Sequence, residues 1–392
     1  MNYIFNNEKE KLLLLERFCC YVKIWSESNG DAADKGIFPS TPQQKDFAEI
    51  LRDELKIFEL KEVQLTEKNY VYGFLPGTGK FSSAEPILFL AHMDTVDEVS
   101  GKDVKPQVTE KDGDKIISSD HTTLLGGDDK AGIAAIMCAL NFLQKNPEIE
   151  HRPVEVIFSP DEETGHGMDF VPVELIKSKY AYTVDGGDEG EMETECFNAW
   201  SGTAEFTGKA CHTGDAKAGN MINANLMAAD FISQLPENMR PETTENYEGF
   251  IAVMGTSGSI ETATVEMLLR SFKMEEIAEE KKIIQKAARA TEEKFGGSAR
   301  VFFNQQYLNM KEKLDESETV VEQLEKAYKA SGVKIIRKPI RGGTDGSRLT
   351  EMGIPTPNIF TGAHQYHSRN EWVSLNQMSK AADIVLNLLT QN

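Results

Sequence analysis

Apolar residues in the first half of the chain follow two patterns, helical spacing and short unbroken runs. Helical spacing predicts an amphipathic helix over residues 8–25 and a second helix whose start is capped by Ser40-Thr41-Pro42. A longer helix follows Gly126, with a buried stripe that begins at Ile133. The unbroken runs predict strands at 63–65, 70–75, 86–91, 154–158 and 180–184. This alternation of helix and strand predicts a mostly parallel, doubly wound α/β sheet.

The pattern changes over residues 198–307. Strands and helices are predicted there in the order β-α-β-β-α-β, which is the split plan of a small independent α+β domain. The doubly wound pattern resumes with a helix at 317–331 and ends with a helix from about Gln377. We therefore expect one domain formed by residues 1–197 and 308–392, interrupted by a second domain at 198–307.

Composition and charge narrow the possible classes of protein. A chain of 392 residues is long enough for two cores. The formal net charge of −21 argues against a nucleic-acid partner, which requires concentrated Lys and Arg. No apolar stretch approaches the about 20 residues of a membrane span. The five cysteines show no disulfide or zinc spacing, and we expect a cytoplasmic protein without a membrane partner.

A glycine-rich run at 76–80 raises the alternative of a nucleotide-binding protein. The phosphate-loop spacing is absent, because Gly73 lies one residue too far upstream. Phe81 also occupies the position where Ser or Thr would bind magnesium. A turn between strands is the better interpretation.

Six residues with metal-binding or proton-transfer chemistry follow predicted strands or lie at strand-to-helix turns. They are His92, Asp128, Glu162, Glu163, Asp185 and His367. The carboxyl ends of parallel strands meet at one edge of a sheet, so these side chains are expected to converge in a crevice there. Imidazole and carboxylate ligands without thiolate suit Zn²⁺ best, with Co²⁺ or Mn²⁺ as alternatives.

Five such ligands are enough for two metal ions if one carboxylate bridges them. Bridged ions typically lie about 3.5–4 Å apart and activate a shared water. One carboxylate of the Glu162-Glu163 pair is then left to act as a base, since neighbouring side chains on an extended segment point in opposite directions. Each motif taken alone has an ordinary alternative. In particular, Asp128 or Asp129 could serve only to cap the following helix.

Several motifs resemble those of the dinuclear zinc exopeptidases that include aminoacylase and peptidase T. The likeness covers nearly the whole chain, and the last three of its segments favour the peptidase T branch, the tripeptide aminopeptidases, over the acylases. The motifs are Phe38–Thr41, His92–Asp97, Gly101-Lys102 through Gln107, Gly126–Gly132, Asp161–Gly165, Val184–Gly187, Ile340–Gly346, Pro357–Gly362 and Tyr366-His367 through Glu371.

The resemblance implies a ligand for each metal position. His92 and Asp185 would bind one zinc ion, Glu163 and His367 would bind the other, and Asp128 would bridge them. It also implies a catalytic domain interrupted by a lid at 198–307, which is used for substrate binding and dimerisation, so a homodimer formed through the lid is possible.

The resemblance implies further roles around the metals. Asp94 would orient the His92 imidazole, and Glu162 would move a proton from water to the leaving amine. In the lid, His212 would help to stabilise an oxyanion and Arg270 would contact the substrate carboxylate. The residues themselves leave alternatives open: a loop histidine bonded to backbone for His212, and a surface charge at a strand end for Arg270.

Two segments depart from the pattern of peptidase T. Thr213 follows His212 where proline is usual, and Ser368-Arg369-Asn370 replaces a segment of the Gly-Lys-His type. Both lie near the expected substrate pocket, so they are expected to affect the length of peptide that is accepted. The set of metal ligands, by contrast, is complete.

We therefore expect a dinuclear zinc aminopeptidase that acts on short peptides, tripeptides above all. One alternative is a related amidohydrolase that cleaves dipeptides or N-acyl amino acids. Another is a relative that binds peptide or metal without catalysis, but the presence of Glu162 beside a full ligand set argues against it.

Overall fold

The computed structural model describes residues 3–391, and the chain divides into two compact units. The first consists of Met1–Thr194, Met310–Lys338 and Thr344–Asn392, and the second of Glu195–Asn309 and Pro339–Gly343. The predicted inserted domain, 198–307, falls inside the main segment of the second unit. The short piece Pro339–Gly343 was not predicted to belong to that unit.

Ten α-helices are present in the described residues. They are α1 (Glu8–Tyr21), α2 (Gly30–Asp34), α3 (Gln44–Ile57), α4 (Gly127–Lys145), α5 (Ala224–Gln234), α6 (Met274–Phe295), α7 (Lys311–Asp315), α8 (Glu318–Ala330), α9 (Asp345–Glu351) and α10 (Leu375–Thr390).

Sixteen β-strands are present in the same part of the chain. They are β1 (Lys61–Leu65), β2 (Val71–Leu75), β3 (Ile87–His92), β4 (Gln107–Lys111), β5 (Asp114–Ser118), β6 (Val154–Ser159), β7 (Ala181–Gly186), β8 (Glu191–Glu193), β9 (Asn198–Thr207), β10 (Phe250–Gly258), β11 (Thr262–Ser271), β12 (Ser298–Tyr307), β13 (Ile336–Arg337), β14 (Asn358–Phe360), β15 (Ala363–His364) and β16 (Trp372–Ser374).

The first unit is built on an eight-stranded sheet of order β1-β2-β6-β3-β7-β14-β8-β13. Its centre is parallel, since β3 pairs in parallel with β6 and β7, and β7 pairs in parallel with β14. Antiparallel pairs lie toward the edges. This sheet, together with the inserted α+β unit, confirms the predicted fold class.

The centre of the sheet is buried because its strands are almost entirely apolar. Every residue of β3 and β6 is buried, which is typical of parallel strands covered by helices. Helices α4 and α9 both contact β3 and β7. Leu88 and Leu90, which share one face of β3, pack in an apolar cluster with Leu349 of α9. Polar residues that serve a functional site are therefore expected at the carboxyl ends of these strands.

The two remaining sheets are antiparallel. In the first unit, β15, β16, β5 and β4 form a four-stranded sheet in that order. In the second unit, β10, β11, β9 and β12 form another, and helices α5 and α6 pack on its strands. The order of elements in the second unit is β-α-β-β-α-β, as the hydrophobic pattern predicts.

One predicted local feature is wrong. Ser40 and Thr41 do not cap the second predicted helix, which is α3 and starts at Gln44 without a side-chain cap. The Ser40 hydroxyl donates instead to Asp161, and the Thr41 hydroxyl donates to the backbone oxygen of Glu27. These tertiary hydrogen bonds occupy the hydroxyl groups that would otherwise be available to cap the helix.

None of the helices within residues 3–391 has the length and apolar character needed to cross a bilayer.

The central strand should carry much of the stability of the first unit. We expect Leu90→Ala to lower the free energy of unfolding by about 2–5 kcal/mol, because Leu90 is fully buried and its loss leaves a cavity. Urea unfolding measures this change. Ile57→Ala, at an exposed position, is the control, and an equal loss in the two variants would contradict the assignment of the core.

Candidate metal centre

The structure brings the five predicted metal ligands together at one edge of the main sheet. His92 ends β3 and is opposite Ser159, the last residue of β6, so the segment after β6 carries Glu163 to the same place. Asp185 lies near the end of β7, the other neighbour of β3. Asp128 comes from the start of α4, and His367 from the segment between β15 and β16.

Asp128 lies between two groups of ligands. Its Oδ1 is 2.8 Å from His92 Nε2, and the same imidazole nitrogen is 3.6 Å from Asp185 Oδ1. Its Oδ2 is 3.4 Å from His367 Nε2, which is 3.1 Å from Glu163 Oε2. Each oxygen of Asp128 therefore faces one histidine, and each of these histidines contacts one further carboxylate, which is the arrangement expected of a bridging ligand.

The two aspartates at the start of α4 have different surroundings. Asp129 accepts hydrogen bonds from the backbone N–H groups of Gly132 (3.1 Å) and His92 (3.2 Å), one on each carboxylate oxygen. It therefore stabilises the helix start and the end of β3. Asp128, by contrast, has an extended backbone and directs its carboxylate to the two histidines. An oxygen of Asp129 also lies within 4.8 Å of ligand atoms of His92 and Asp185.

Asp94 contacts both sides of the centre. Its Oδ1 lies 3.4 Å from His92 Nδ1. The same carboxylate accepts the backbone N–H groups of Glu162 (3.0 Å) and Glu163 (3.1 Å). Asp94 is fully buried. The backbone oxygen of Asp94 is nearer still to His92 Nδ1, at 3.1 Å. One residue thus contacts the His92 imidazole and holds the turn that carries both glutamates, and the contact with the turn was not foreseen from the sequence.

Glu162 points into the same region without a fixed partner. Among residues 3–391, no donor forms a hydrogen bond with its carboxylate, whereas Glu163 contacts His367. Burial raises the pKa of Glu162 well above its ordinary value; the nearby His92 opposes this, and Asp185 and Asp345 add to it. A carboxylate with an elevated pKa and no protein donor is suited to accept and release a proton.

The centre holds more buried carboxylates than its two imidazoles can compensate. Burial raises the pKa of Asp185 to about 6 and of Glu163 to about 8. Burial alone would lower the pKa of His92, but Asp185 and Asp128 raise it well above its usual value. Hydrogen bonds to Asp128 and Glu163 raise the pKa of His367 to about 11. The site therefore favours added positive charge, and its nitrogen and oxygen donors fit divalent ions such as Zn²⁺.

Other buried polar residues support the loops of the centre, and their roles were not predicted. The Glu371 carboxylate accepts the backbone N–H groups of Leu125, Gly126 and Asp128. The Asn358 side chain accepts the N–H of Asp185 and donates to its backbone oxygen. Both residues lie in motifs that carry the family resemblance, which is the signal in the sequence that could have revealed them.

Asp345 lies beside the centre in another of these motifs. The hydroxyl of Ser159, at the end of β6, donates to its carboxylate. Burial raises the pKa of Asp345 to about 7; the Ser159 hydroxyl and His92 oppose this, and Asp94 adds to it. Asp345 thus adds to the concentration of carboxylates at this edge of the sheet.

The two predicted substrate residues, His212 and Arg270, lie in the second unit. The His212 imidazole is exposed and accepts the N–H of Gly214, which agrees with the alternative of a loop histidine bonded to backbone. Arg270 is buried, so the alternative of a surface charge is wrong. Its guanidinium donates to the backbone oxygens of Trp200 and Leu269 and lies 5.5 Å from the centre of the Tyr307 ring.

Comparison with known proteins shows which peptidase family and which sequences the chain is similar to. The profile of peptidase family M20/M25/M40 matches residues 88–391. Peptidase T of Clostridium perfringens (strain SM101 / Type A) is 41% identical over 400 residues, which cover 95% of this chain and 97% of that protein. Peptidase T of Listeria monocytogenes serotype 4a is 40% identical, with the same coverage.

Two solved structures are also similar to the chain. The aminopeptidase PepT of Bacillus cereus superposes with a TM-score of 0.79 at 26% sequence identity. A tripeptidase of Staphylococcus aureus superposes with a TM-score of 0.80 at 25% identity. In both cases the match covers 97% of this chain and 98% of the other.

The pKa shifts predict how stability depends on pH and metal. Asp185 and Glu163 have raised pKa values in the folded protein. The stability linked to their bound protons is therefore complete near pH 4 and falls as the pH rises through about 6 and about 8. Without metal, the melting temperature should drop between pH 5 and pH 7, and the increase produced by Zn²⁺ should grow over the same interval.

Thermal unfolding of chelator-treated and zinc-loaded protein at pH 5, 6 and 7 measures this. Titrating groups elsewhere affect both forms, so the difference between the two melting temperatures isolates the centre. Burial lowers the pKa of Lys130 to about 7. Its effect on the pH dependence of stability has the opposite sign, but only above that pH. A zinc effect that stays constant or shrinks from pH 5 to pH 7 would contradict the assignment.

Proposed function

The chain belongs to peptidase family M20/M25/M40, as its motifs indicate, and we propose that it is a dinuclear zinc aminopeptidase. In this proposal it hydrolyses the N-terminal peptide bond of short peptides, most readily of tripeptides. The observation that carries the proposal is the position of Asp128, whose two oxygens each face a histidine that contacts one further carboxylate.

The similar proteins support the class of substrate. The relatives with about 40% identity over nearly the whole chain are peptidases T. The two similar structures are an aminopeptidase and a tripeptidase. A peptidase that acts on short peptides is therefore favoured over an amidohydrolase that acts on N-acyl amino acids.

We assign the metal positions from the distances within the first unit. His92 and Asp185 would hold one zinc ion, His367 and Glu163 would hold the second, and Asp128 would hold both. Two bound zinc ions would supply an acidified water and an electrophile for the scissile carbonyl. The imidazole of His92 keeps its orientation because Asp94 lies at its other nitrogen.

Glu162 is the proposed proton carrier. Its carboxylate takes a proton from the attacking water and later gives that proton to the nitrogen of the leaving amine. Burial raises the pKa of Glu162 well above its ordinary value, so the side chain can hold the proton between the two steps. Asp94 fixes the backbone N–H of Glu162 and keeps this carrier in place.

The second unit would serve as the lid. We propose that Arg270 binds the carboxylate of the peptide, that His212 stabilises the developing oxyanion, and that the lid at 198–307 can pair two copies of the chain. We also propose that the protein works in the cytoplasm. The Ser368-Arg369-Asn370 segment next to His367 would influence which peptide length is preferred.

Glu162→Gln tests the mechanism. The amide cannot accept the proton, so kcat should fall by about 10²–10⁴-fold, while the protein still binds two zinc ions. Peptide hydrolysis and metal analysis on the same preparation measure both quantities. Glu163→Gln is the matched control, since loss of a ligand should reduce the metal content as well. Near-normal turnover by Glu162→Gln would disprove the proposed role.

A peptide panel tests the substrate class. Zinc-loaded protein should release the N-terminal residue from free-amine tripeptides faster than from dipeptides or tetrapeptides, and N-acetyl tripeptides should resist cleavage. Chromatography of the products identifies the bond that breaks. Faster cleavage of the N-acetylated peptides would instead indicate the amidohydrolase alternative.

A further inference from the structure

The backbone that leads into Glu162 has an unusual conformation. Asp161 has φ of +57°, in the left-handed region that residues other than glycine rarely adopt. Asp161 directly follows Pro160 and directly precedes the proposed proton carrier. Such a conformation persists only where surrounding contacts hold it, so the partners of Asp161 matter to the position of Glu162.

The partners come from the N-terminal part of the chain. The Gln44 side chain contacts Asp161 at two points: its Oε1 accepts the Asp161 N–H (3.1 Å), and its Nε2 donates to Asp161 Oδ1 (2.7 Å). Ser40 adds two more contacts, because its N–H donates to Oδ2 at 2.6 Å and its hydroxyl donates to Oδ1. We call this set of contacts between Ser40, Gln44 and Asp161 the clamp.

The clamp is inaccessible to solvent. Gln44 and Asp161 are 0% exposed, and Ser40 is 6% exposed. A buried carboxylate requires donors, and three groups in the clamp supply them. Removal of one donor therefore weakens the hydrogen bonding of a carboxylate that water cannot easily reach, and with it the contacts that hold the local backbone.

The clamp and Asp94 both form hydrogen bonds with the turn that carries Glu162 and Glu163. Asp94 accepts the N–H groups of Glu162 and Glu163, while the clamp fixes the N–H and the carboxylate of the residue before them. The Glu163 side chain has His367 as a further partner. In the described part of the chain, no donor forms a hydrogen bond with the Glu162 carboxylate, so the backbone of the turn is the part of this residue that hydrogen bonds hold.

We propose that Gln44 and Ser40 are positioning residues for Glu162, and that they act through Asp161. The inference rests on the role proposed above for Glu162 as proton carrier. It assigns a function to Ser40 and Gln44, which lie in the N-terminal part of the chain and, among residues 3–391, form no hydrogen bond with the proposed metal ligands.

Gln44→Met is the main test. The substitution keeps the length of the side chain and removes both contacts to Asp161. We expect kcat for a tripeptide to fall about tenfold or more, because a displacement of a catalytic group by about 1 Å can cost about 10²-fold. KM should stay within about threefold, and the protein should still bind two zinc ions.

Leu51→Ala is the control for a loss of stability. Leu51 is fully buried in the same helix, α3, and belongs to neither the clamp nor the proposed active site. This variant should be destabilised while its kcat remains near that of the wild type. If Gln44→Met loses no more kcat than Leu51→Ala, the proposal is wrong.

Hydrogen–deuterium exchange supplies a readout that does not require activity. In metal-free Gln44→Met, the peptide that spans 159–167 should exchange faster than in the wild type, and Leu51→Ala should leave it protected. Unchanged protection in Gln44→Met would overturn the proposal. If the wild type cleaves no peptide, the proposed function fails, and exchange still decides whether the clamp holds this turn.

Ser40→Ala provides a second test in case Gln44→Met does not fold. It removes one donor to Asp161 and leaves the Ser40 N–H in place, so a smaller fall in kcat with the same exchange pattern is expected. Ser40→Thr keeps the hydroxyl and should restore both. Wild-type kcat and exchange in Ser40→Ala would contradict the proposal.

Discussion

The structure of the first unit depends on the burial of many carboxylates at one edge of a parallel sheet. Asp128, Glu162, Glu163 and Asp185 lie there with only two imidazoles nearby. Burial raises the pKa values of Glu163 and Asp185, whereas hydrogen bonds to His367 and His92 outweigh burial and lower the pKa of Asp128. Such a concentration of negative charge is stable only with protons or cations, so the sheet edge is organised to bind metal.

The acidic residues around the centre divide into two kinds. Asp94, Asp129 and Glu371 accept backbone N–H groups and thereby fix the segments that carry ligands. Asp128 and Glu163 instead direct their oxygens toward imidazoles. The first kind is satisfied by backbone N–H groups, whereas the second has imidazoles beside it and oxygens that can also bind a cation. This division explains how so many carboxylates can share one small region without all being ligands.

Much of this arrangement could be predicted from the chain alone. Long periodic segments were the most reliable: the helix predicted at 317–331 is observed as α8 (Glu318–Ala330), within one residue at each end. The convergence of His92 and Asp185 followed from their places at the ends of parallel strands. The hairpin of β4 and β5 was missed, because β4 is exposed throughout and has no apolar pattern to signal a strand.

Other features depend on tertiary contacts that no local pattern records. Asp128 and Asp129 are neighbours at a helix start, and only the backbone conformation there decides that Asp129 binds N–H groups and Asp128 faces the histidines. Ser40 is suited to cap a helix, yet it donates to Asp161, more than a hundred residues away in the sequence.

Electron paramagnetic resonance of protein loaded with two Mn²⁺ per chain tests most directly whether Asp128 bridges two metal ions. If Asp128 bridges the two ions, they should form an exchange-coupled pair that Asp128→Asn uncouples, and two uncoupled ions in the wild type would contradict this bridging role.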